Sequence, residues 1–339
     1  MKFILTIDTE GDNQWDHGKD LTTENIRYIP RFQELCNKFS VKPVYLVTSE
    51  VCNDSFARKI FYDFSHNGLA EIGTHLHSWT TPPFLDRDGF RFNDRQHIYA
   101  SELPEELLDE KLQYLTAQIE SAFGKKPTSF RSGRYGFNEA VARSLIKNDY
   151  LIDSSVTPYT DWSTNKGLIE GRGGPNFLER TPEPFLYEHN KKYLVEIPVT
   201  IMPTIFPLNR FRTFAGHYFR NVDQSLSLRI LRQILFRNQP LWLRPFDWVG
   251  VSLLGKLLNE AAYYDLPYIV MMFHSSELMP GCSMYWKDQE AIEKLYSLLT
   301  GFFSMLSQRN IDSITLSEAA REYIQNYSLK KNEMKLELI

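Results

Sequence analysis

Short apolar runs alternate with longer amphipathic runs along most of this chain, and this alternation constrains its fold more than any other feature. The short runs suit buried strands and the longer runs suit helices, so their order predicts repeated β-α units around a mainly parallel sheet. The strand candidates, which set an upper limit, are residues 3–8, 43–47, 70–73, 129–131, 150–153, 193–197, 241–244, 268–273 and 312–315. The helix candidates are residues 23–39, 55–66, 105–123, 138–147, 226–236, 249–264, 288–307 and 317–326.

Two stretches interrupt this alternation. Glycine and proline break any regular period near residues 157–192, and prolines and clustered arginines do so near residues 198–222. With 339 residues the chain has room for one large α/β domain or for two domains. We expect one domain over residues 1–325, with these stretches as irregular insertions near a site, and a C-terminal tail over residues 326–339.

The composition excludes several classes of function. A net charge of −4 argues against binding nucleic acid, although Arg210, Arg212 and Arg220 could form a local basic patch. No stretch approaches the roughly 20 apolar residues of a membrane helix, so we expect no integral membrane segment. The aromatic content of 14% suggests aromatic-lined surfaces as well as core, and sugar binding is one use of such surfaces.

The cellular compartment is predicted from the cysteines and the N-terminus. Cys36, Cys52 and Cys282 are scattered without a Cys-x-x-Cys spacing, which favours free thiols in a reducing compartment. The first apolar run is too short for a signal peptide and soon meets an acid. We therefore expect a cytoplasmic protein.

A pair of histidines closes the apolar run at residues 71–77. On an extended chain the side chains at i and i+2 point the same way, so His75 and His77 could face one ion. Neutral imidazole suits zinc and related divalent metals. Two solvated loop histidines would show the same spacing, so the pattern needs a carboxylate nearby to indicate a metal site.

Carboxylates and other reactive side chains follow several of the predicted strands. Asp8 and Glu10 follow the first strand, although a solvated turn at Gly11 would explain them equally well. Further strand ends carry Arg131, Asp153 and His274. Because active sites of parallel α/β folds lie at the C-terminal ends of the strands, this convergence predicts a metal-dependent hydrolase site.

Five stretches resemble the motifs of the polysaccharide deacetylase family, also called the NodB-homology family or carbohydrate esterase family 4. They are residues 6–11, 71–77, 130–136, 153–162 and 272–275, in the family's order. The resemblance covers roughly residues 1–320 and is to the branch associated with O-antigen and related surface-glycan clusters. It implies an irregular (β/α) barrel of about seven parallel strands that removes acyl groups from sugars with one divalent metal ion.

The resemblance also implies roles for individual residues. Asp8 occupies the position of the general base, His274 that of the general acid, and Arg131 that of the arginine that orients the base. Tyr135 and Trp162 occupy positions beside the acyl group.

One further segment carries candidate substrate contacts. Arg244, with Trp242, Asp247 and Trp248, could line a sugar subsite, and these residues could equally form a strand and a corner of the core.

The chain departs from the family pattern at the metal. Thr9 stands where the family usually has a second aspartate, and Trp79 stands where it usually has the second histidine. We therefore expect the ligands to be Glu10, His75 and His77, with Asp8 in place of Glu10 as an alternative. The expected ion is zinc, with cobalt, nickel or manganese as other choices, and loss of the metal is the remaining interpretation.

The predicted activity is removal of an N-acetyl group from a sugar or glycan precursor during surface-polysaccharide (O-antigen or similar) biosynthesis. Two alternatives stay open at this point. The chain could hydrolyse formyl or other small amides at the same site, or it could be a metal-free glycan-binding pseudoenzyme.

Overall fold

The computed structural model of the protein describes residues 1–14, 20–84, 86–87, 90–91, 97–166, 171–202 and 240–336. Several sequence predictions lie outside these ranges. They are the helix at residues 226–236, most of the insertion at residues 198–222, and the basic patch of Arg210, Arg212 and Arg220.

The strands within the described residues form one large sheet and two small ones. Their bounds are β1 Lys2–Thr9, β2 Pro43–Val47, β3 Glu71–Leu76, β4 Asp86–Arg87, β5 Phe90–Arg91, β6 Ser129–Ser132, β7 Ile152–Asp153, β8 Phe185–His189, β9 Lys192–Glu196, β10 Ile201–Met202, β11 Leu241–Trp242 and β12 Tyr268–His274. The large sheet has eight strands in the order β12-β1-β2-β3-β6-β7-β9-β8. Seven of the eight are mutually parallel, and only β8 pairs antiparallel, with β9.

The sheet curls, and the β10-β11 pair lies across the gap between its two sides. The backbone N–H of Thr200 donates to the carbonyl of Val270 in β12 at 3.1 Å, and that of Met272 donates to Leu243 at 3.3 Å. On the other side, the N–H of Val199 donates to the carbonyl of Val156 at 3.0 Å. These bonds join the end of the sheet near β7 and β9 to β12, which gives an irregular barrel.

Helices cover the outside of the barrel. They are α1 Ile29–Lys38, α2 Ser49–Asn53, α3 Ser55–His66, α4 Glu105–Phe123, α5 Glu139–Lys147, α6 Val251–Tyr263, α7 Gln289–Gln308 and α8 Leu316–Leu336. Helices α3, α4 and α7 each bury one apolar face, as an amphipathic helix on a barrel must. The central strands β1 and β2 are buried almost throughout, which explains their near-continuous apolar sequences.

The predicted fold class is confirmed, with local corrections. The strand predicted at residues 312–315 is wrong, because the structure has only an isolated bridge there, between Phe3 and Ser313. Strand β8 lies inside the stretch predicted to be irregular, and the helix predicted to end at residue 326 continues to Leu336. Among the described residues, no helix is long and apolar enough to cross a membrane.

Candidate active site

Parallel pairing brings the predicted site residues to one end of the barrel. Asp8 in β1 is the register partner of His274 in β12, and His75 in β3 is the register partner of Arg131 in β6. Because these four strands run in the same direction, their carboxyl ends open onto one cavity of about 380 Å³. Its lining residues are Asp8, Glu10, His75, His77, Tyr99, Arg134, Tyr135, Trp162, Asn165, Arg244, His274 and Met284.

Three side chains at the base of this cavity could hold a metal ion. One donor atom from each of Glu10, His75 and His77 lies within 4.8 Å of the others, and all three residues are buried. The Glu10 Oε2 atom is 2.8 Å from His77 Nε2 and 3.6 Å from His75 Nε2. Asp8, the alternative acidic ligand, is instead paired with Arg131.

The surroundings orient these donors for a cation. The Nδ1 atom of His75 lies 3.0 Å from the carbonyl of Arg131, so Nδ1–H donates to that carbonyl and Nε2 is the ring atom that faces Glu10. A Cβ added to Gly133 would lie 2.5 Å from Nδ1 of His77, so glycine lets the turn after β6 approach this ring.

The protonation of these three side chains affects how they could bind a cation. Burial lowers the pKa of His77 to about 4, so its ring is neutral at neutral pH. Burial acts to raise the pKa of Glu10, but hydrogen bonds to His75 and His77 outweigh it and lower that pKa. Burial acts to lower the pKa of His75, but the charge of Asp8 and the hydrogen bond to Glu10 outweigh it and raise that pKa, so a bound cation would displace a proton from this ring. A carboxylate and two imidazoles that have lost such protons are a donor set that fits zinc or a related divalent ion.

A buried ion pair stands beside this group. The Nη1 atom of Arg131 is 2.7 Å from Oδ1 of Asp8 and also donates to the hydroxyl of Thr6, while Nε and Nη2 donate to Ser154. Burial acts to raise the pKa of Asp8, but the charge of Arg131 and those of nearby histidines outweigh it and lower the pKa. Asp8 is therefore ionised at neutral pH, with its second oxygen 4.0 Å from His274 Nε2.

Two further charged side chains, Glu277 and Arg244, hold His274 in place. The Oε1 atom of Glu277 accepts from the backbone N–H of His274 at 3.0 Å and lies 3.3 Å from its Nδ1. The same oxygen accepts from Nη2 of Arg244 at 2.7 Å, and this Nη2 also lies 3.1 Å from Nδ1. With Nδ1 held in this way, Nε2 of His274 faces the cavity.

Aromatic rings line the opposite side of the cavity. Tyr135 stacks on Trp162 with ring centroids 5.6 Å apart, and it contacts Trp242 at 5.9 Å. Arg134 and Tyr135 both have positive φ, of 54° and 62°. For residues other than glycine this conformation is strained, and strain of this kind is concentrated at functional sites.

All the predicted site residues are described and all but Arg131 line this cavity, and two differ in position from the simplest expectation. Arg131 lies behind Asp8 and is fully buried. Arg244, predicted to contact substrate, lines the cavity while its guanidinium is bound to Glu277.

Sequence reasoning missed two residues that support the site, Glu277 and Asn25. The amide of Asn25 donates to the carbonyl of Glu10 at 2.9 Å and to Ser275 Oγ at 2.8 Å, and so joins the ends of β1 and β12. A signal was present for Glu277, which lies three residues after His274, but none distinguishes Asn25 within its helical run.

Comparison with known proteins shows the fold. No protein-family model matches the chain, and neither does any curated protein. A solved structure named as a polysaccharide deacetylase, from Mycobacterium smegmatis, is similar with a TM-score of 0.53 and 12% sequence identity, over 96% of this chain and 92% of that one.

A second similar structure has a different activity in its name. The allantoinase Puue matches with a TM-score of 0.50 and 13% identity, over 95% of this chain and 89% of its own. At such identities the likeness shows a shared fold alone. This chain therefore has the barrel fold found in a protein named as a polysaccharide deacetylase and in an allantoinase.

Proposed function

We propose that this protein is a metal-dependent hydrolase that removes an N-acetyl group from a sugar. The observation that carries the proposal is the arrangement of Glu10, His75 and His77 beside the Asp8–Arg131 pair, with His274 on the far side of Asp8. Such a set provides metal ligands, a base and an acid around one cavity. The resemblance to the O-antigen branch makes a surface-polysaccharide precursor the proposed substrate.

In this proposal Glu10, His75 and His77 hold one divalent ion, with zinc the first choice. When bound, such an ion polarises a carbonyl oxygen as a Lewis acid and makes water more acidic. The ionised Asp8 takes a proton from the attacking water, and Arg131 keeps its carboxylate in place. His274 gives a proton from Nε2 to the sugar nitrogen as the amide C–N bond breaks, so acetate and a free amine result.

Tyr135 and Trp162, which line the cavity, would orient the substrate. Tyr135 and Trp162 present a flat apolar surface on which the acetyl methyl could rest, close to the acid and the base. Burial raises the pKa of Tyr135, so its hydroxyl remains neutral and can donate but not act as a base at neutral pH.

Metal content is the first test. We expect near one equivalent of divalent metal in the purified protein, lost in His75→Ala and His77→Ala, together with release of acetate from N-acetyl sugars. The matched control is His66→Ala. Because His66 is an exposed histidine on α3, this variant should keep both metal and activity. Wild-type protein that binds no zinc, cobalt, nickel or manganese after reconstitution would contradict the proposal and favour a glycan-binding pseudoenzyme.

Hydrolysis of a small non-sugar amide is the second candidate, supported by the fold shared with an allantoinase. A panel of N-acetyl sugars, N-formyl amines and allantoin separates the two candidates. Turnover of the small amides without turnover of any acetylated sugar would replace the first proposal with the second.

A further inference from the structure

Three aromatic residues form a row just outside the cavity, and we call Phe246, Trp248 and Tyr285 the aromatic rim. The ring of Trp248 stacks on Phe246 with centroids 5.5 Å apart and planes 10° from parallel. Tyr285 meets Phe246 edge-on at 5.2 Å. Phe246 and Tyr285 pack partly against the core, but Trp248 is 64% exposed. The rim therefore holds one indole in a fixed plane at the surface.

The rim is continuous with the candidate active site. The guanidinium carbon of Arg244 lies 5.0 Å from the centroid of Phe246 and 5.6 Å from that of Tyr285. Arg244 in turn lines the cavity and contacts His274. Met284, next to Tyr285 and 75% exposed, also lines the cavity. A ligand longer than the cavity would meet the rim as it leaves.

The chemistry of the rim suits a sugar ring. One face of a pyranose is made of C–H groups, which pack on a flat aromatic ring, while its hydroxyls need hydrogen-bond partners at the edge. Asp247, exposed between Phe246 and Trp248, offers carboxylate oxygens as acceptors. The same acidic residue would repel an anionic lipid surface, the other ligand that an exposed tryptophan could contact.

We propose that the aromatic rim binds a second sugar ring, next to the sugar whose acyl group enters the cavity. The substrate is then a glycan of two or more sugars rather than a single activated sugar. This inference rests on the proposed deacylation, because that reaction places an acylated sugar beside His274.

The test compares one sugar with several in Trp248→Ala. The probes are N-acetylglucosamine and its β-1,4-linked tetramer, assayed for acetate release with zinc-loaded protein, and the tetramer alone in a ligand-observed NMR binding experiment. Loss of one stacked ring should lower kcat/KM for the tetramer on the order of tenfold and leave the monosaccharide unchanged.

The matched control is Tyr263→Ala. Tyr263 is 65% exposed, but it ends α6 shortly before β12 begins, at the end of the barrel opposite His274. Both probes should behave with this variant as they do with the wild type.

Several results would overturn the inference while the proposed function stands. They are an equal loss of kcat/KM for both probes in Trp248→Ala, no loss of kcat/KM for the tetramer in this variant, or no binding of the tetramer to wild-type protein. Trp248-dependent sedimentation with phosphatidylglycerol vesicles would assign the rim to a lipid surface instead. If no sugar is deacylated but the tetramer binds and Trp248→Ala abolishes that binding, the proposed reaction fails and the rim stands.

Discussion

Glu277 makes several charged and polar contacts behind the cavity, and its only signal in the sequence is its position three residues after His274. Its buried carboxylate accepts from the backbone of His274, lies against the His274 ring and binds Arg244. Burial acts to raise the pKa of Glu277, but the charge of Arg244 outweighs it and lowers this pKa. The ionised Glu277 and the Arg244 guanidinium together hold Nδ1 of His274, and Nε2 is the ring atom that faces the cavity.

We therefore expect Glu277→Gln to impair turnover more than binding. The amide can still accept from His274 and Arg244, but it lacks the charge that stabilises the protonated ring. A supporting residue of this kind typically contributes about 10- to 100-fold, so kcat should fall by that factor with KM within about threefold of wild type. Steady-state kinetics with an N-acetyl sugar as substrate would check this division of the effect between kcat and KM.

The control for this variant is Glu290→Gln. The Glu290 side chain is 80% exposed on α7 and pairs with Lys294, so its loss should change neither parameter. A rise in KM with unchanged kcat in Glu277→Gln would mean that the residue acts on substrate binding instead.

Among the structural elements, the turn after β6 contributes to the candidate site in two ways. It runs over residues 133–135 with two consecutive residues at positive φ, and its first residue, Gly133, packs against His77. The turn thus contacts the candidate metal-binding group on one side and presents Tyr135 to the cavity on the other.

Gly133→Ala should weaken metal binding. The new methyl would lie within 2.7 Å of two atoms of the His77 ring, Nδ1 and Cε1, so the ring must move away from its present position. Displacing a ligand in this way should cost about 10- to 100-fold in zinc affinity, measured by competition with a chelator. Overpacking at this buried position should also lower the free energy of unfolding by about 1–3 kcal/mol.

Gly250→Ala is the matched control, because a Cβ there meets no atom within 4 Å. Its zinc affinity should equal that of the wild type. Unchanged affinity in Gly133→Ala would show that His77 does not contribute to the metal site in its present position.

At the scale of the whole molecule, a buried acid pair links pH to stability. Asp153 of β7 and Glu196 of β9 are register partners in the sheet, and their carboxyl groups hydrogen-bond to each other. Burial, followed by the charge of Asp153, raises the pKa of Glu196 well above its ordinary value. The folded protein therefore keeps a proton on this pair at pH values where the unfolded chain releases it.

The sign of the effect follows from that proton. The pair contributes most to stability below the ordinary pKa of 4.5 for Glu196 and loses this contribution as the pH rises toward the raised value. Across that window the free energy of unfolding should fall by up to about 1.4 kcal/mol per pH unit because of this pair. Urea unfolding at pH 4, 5, 6 and 7 would measure the slope.

Glu196→Gln should remove the part of the pH dependence of the unfolding free energy that comes from this pair. Its amide can donate to Asp153 and accept from the backbone N–H of Val156, as the protonated acid does. We expect wild-type stability at pH 4 and greater stability than wild type at pH 7. Glu188→Gln, at an exposed position of β8, should keep the wild-type slope. If the free energy of unfolding changes equally with pH in Glu196→Gln and in the wild type, the pair does not share a proton.

Much of the barrel could be predicted from local pattern. The strand predicted at residues 43–47 and the helices predicted at 55–66 and 105–123 have the observed bounds, because each has a clear apolar period and clear ends. The β8-β9 hairpin was not predictable in this way. Its turn uses Asn190 and Lys191, both at positive φ, and lysine is not a residue that signals such a turn.

The sequence by itself determined the fold class and the residues that gather at one end of the barrel, because parallel strands bring every strand end to the same edge. It left open whether Asp8 or Glu10 completes the metal-binding group and what Arg244 contacts. Only the tertiary structure places Glu10 beside both histidines and Arg244 against Glu277. Arg131 lies against Asp8 from β6, and Glu277 reaches Arg244 across 33 positions of the chain. Contacts between residues so far apart depend on how the strands and loops pack, and no local pattern encodes that packing.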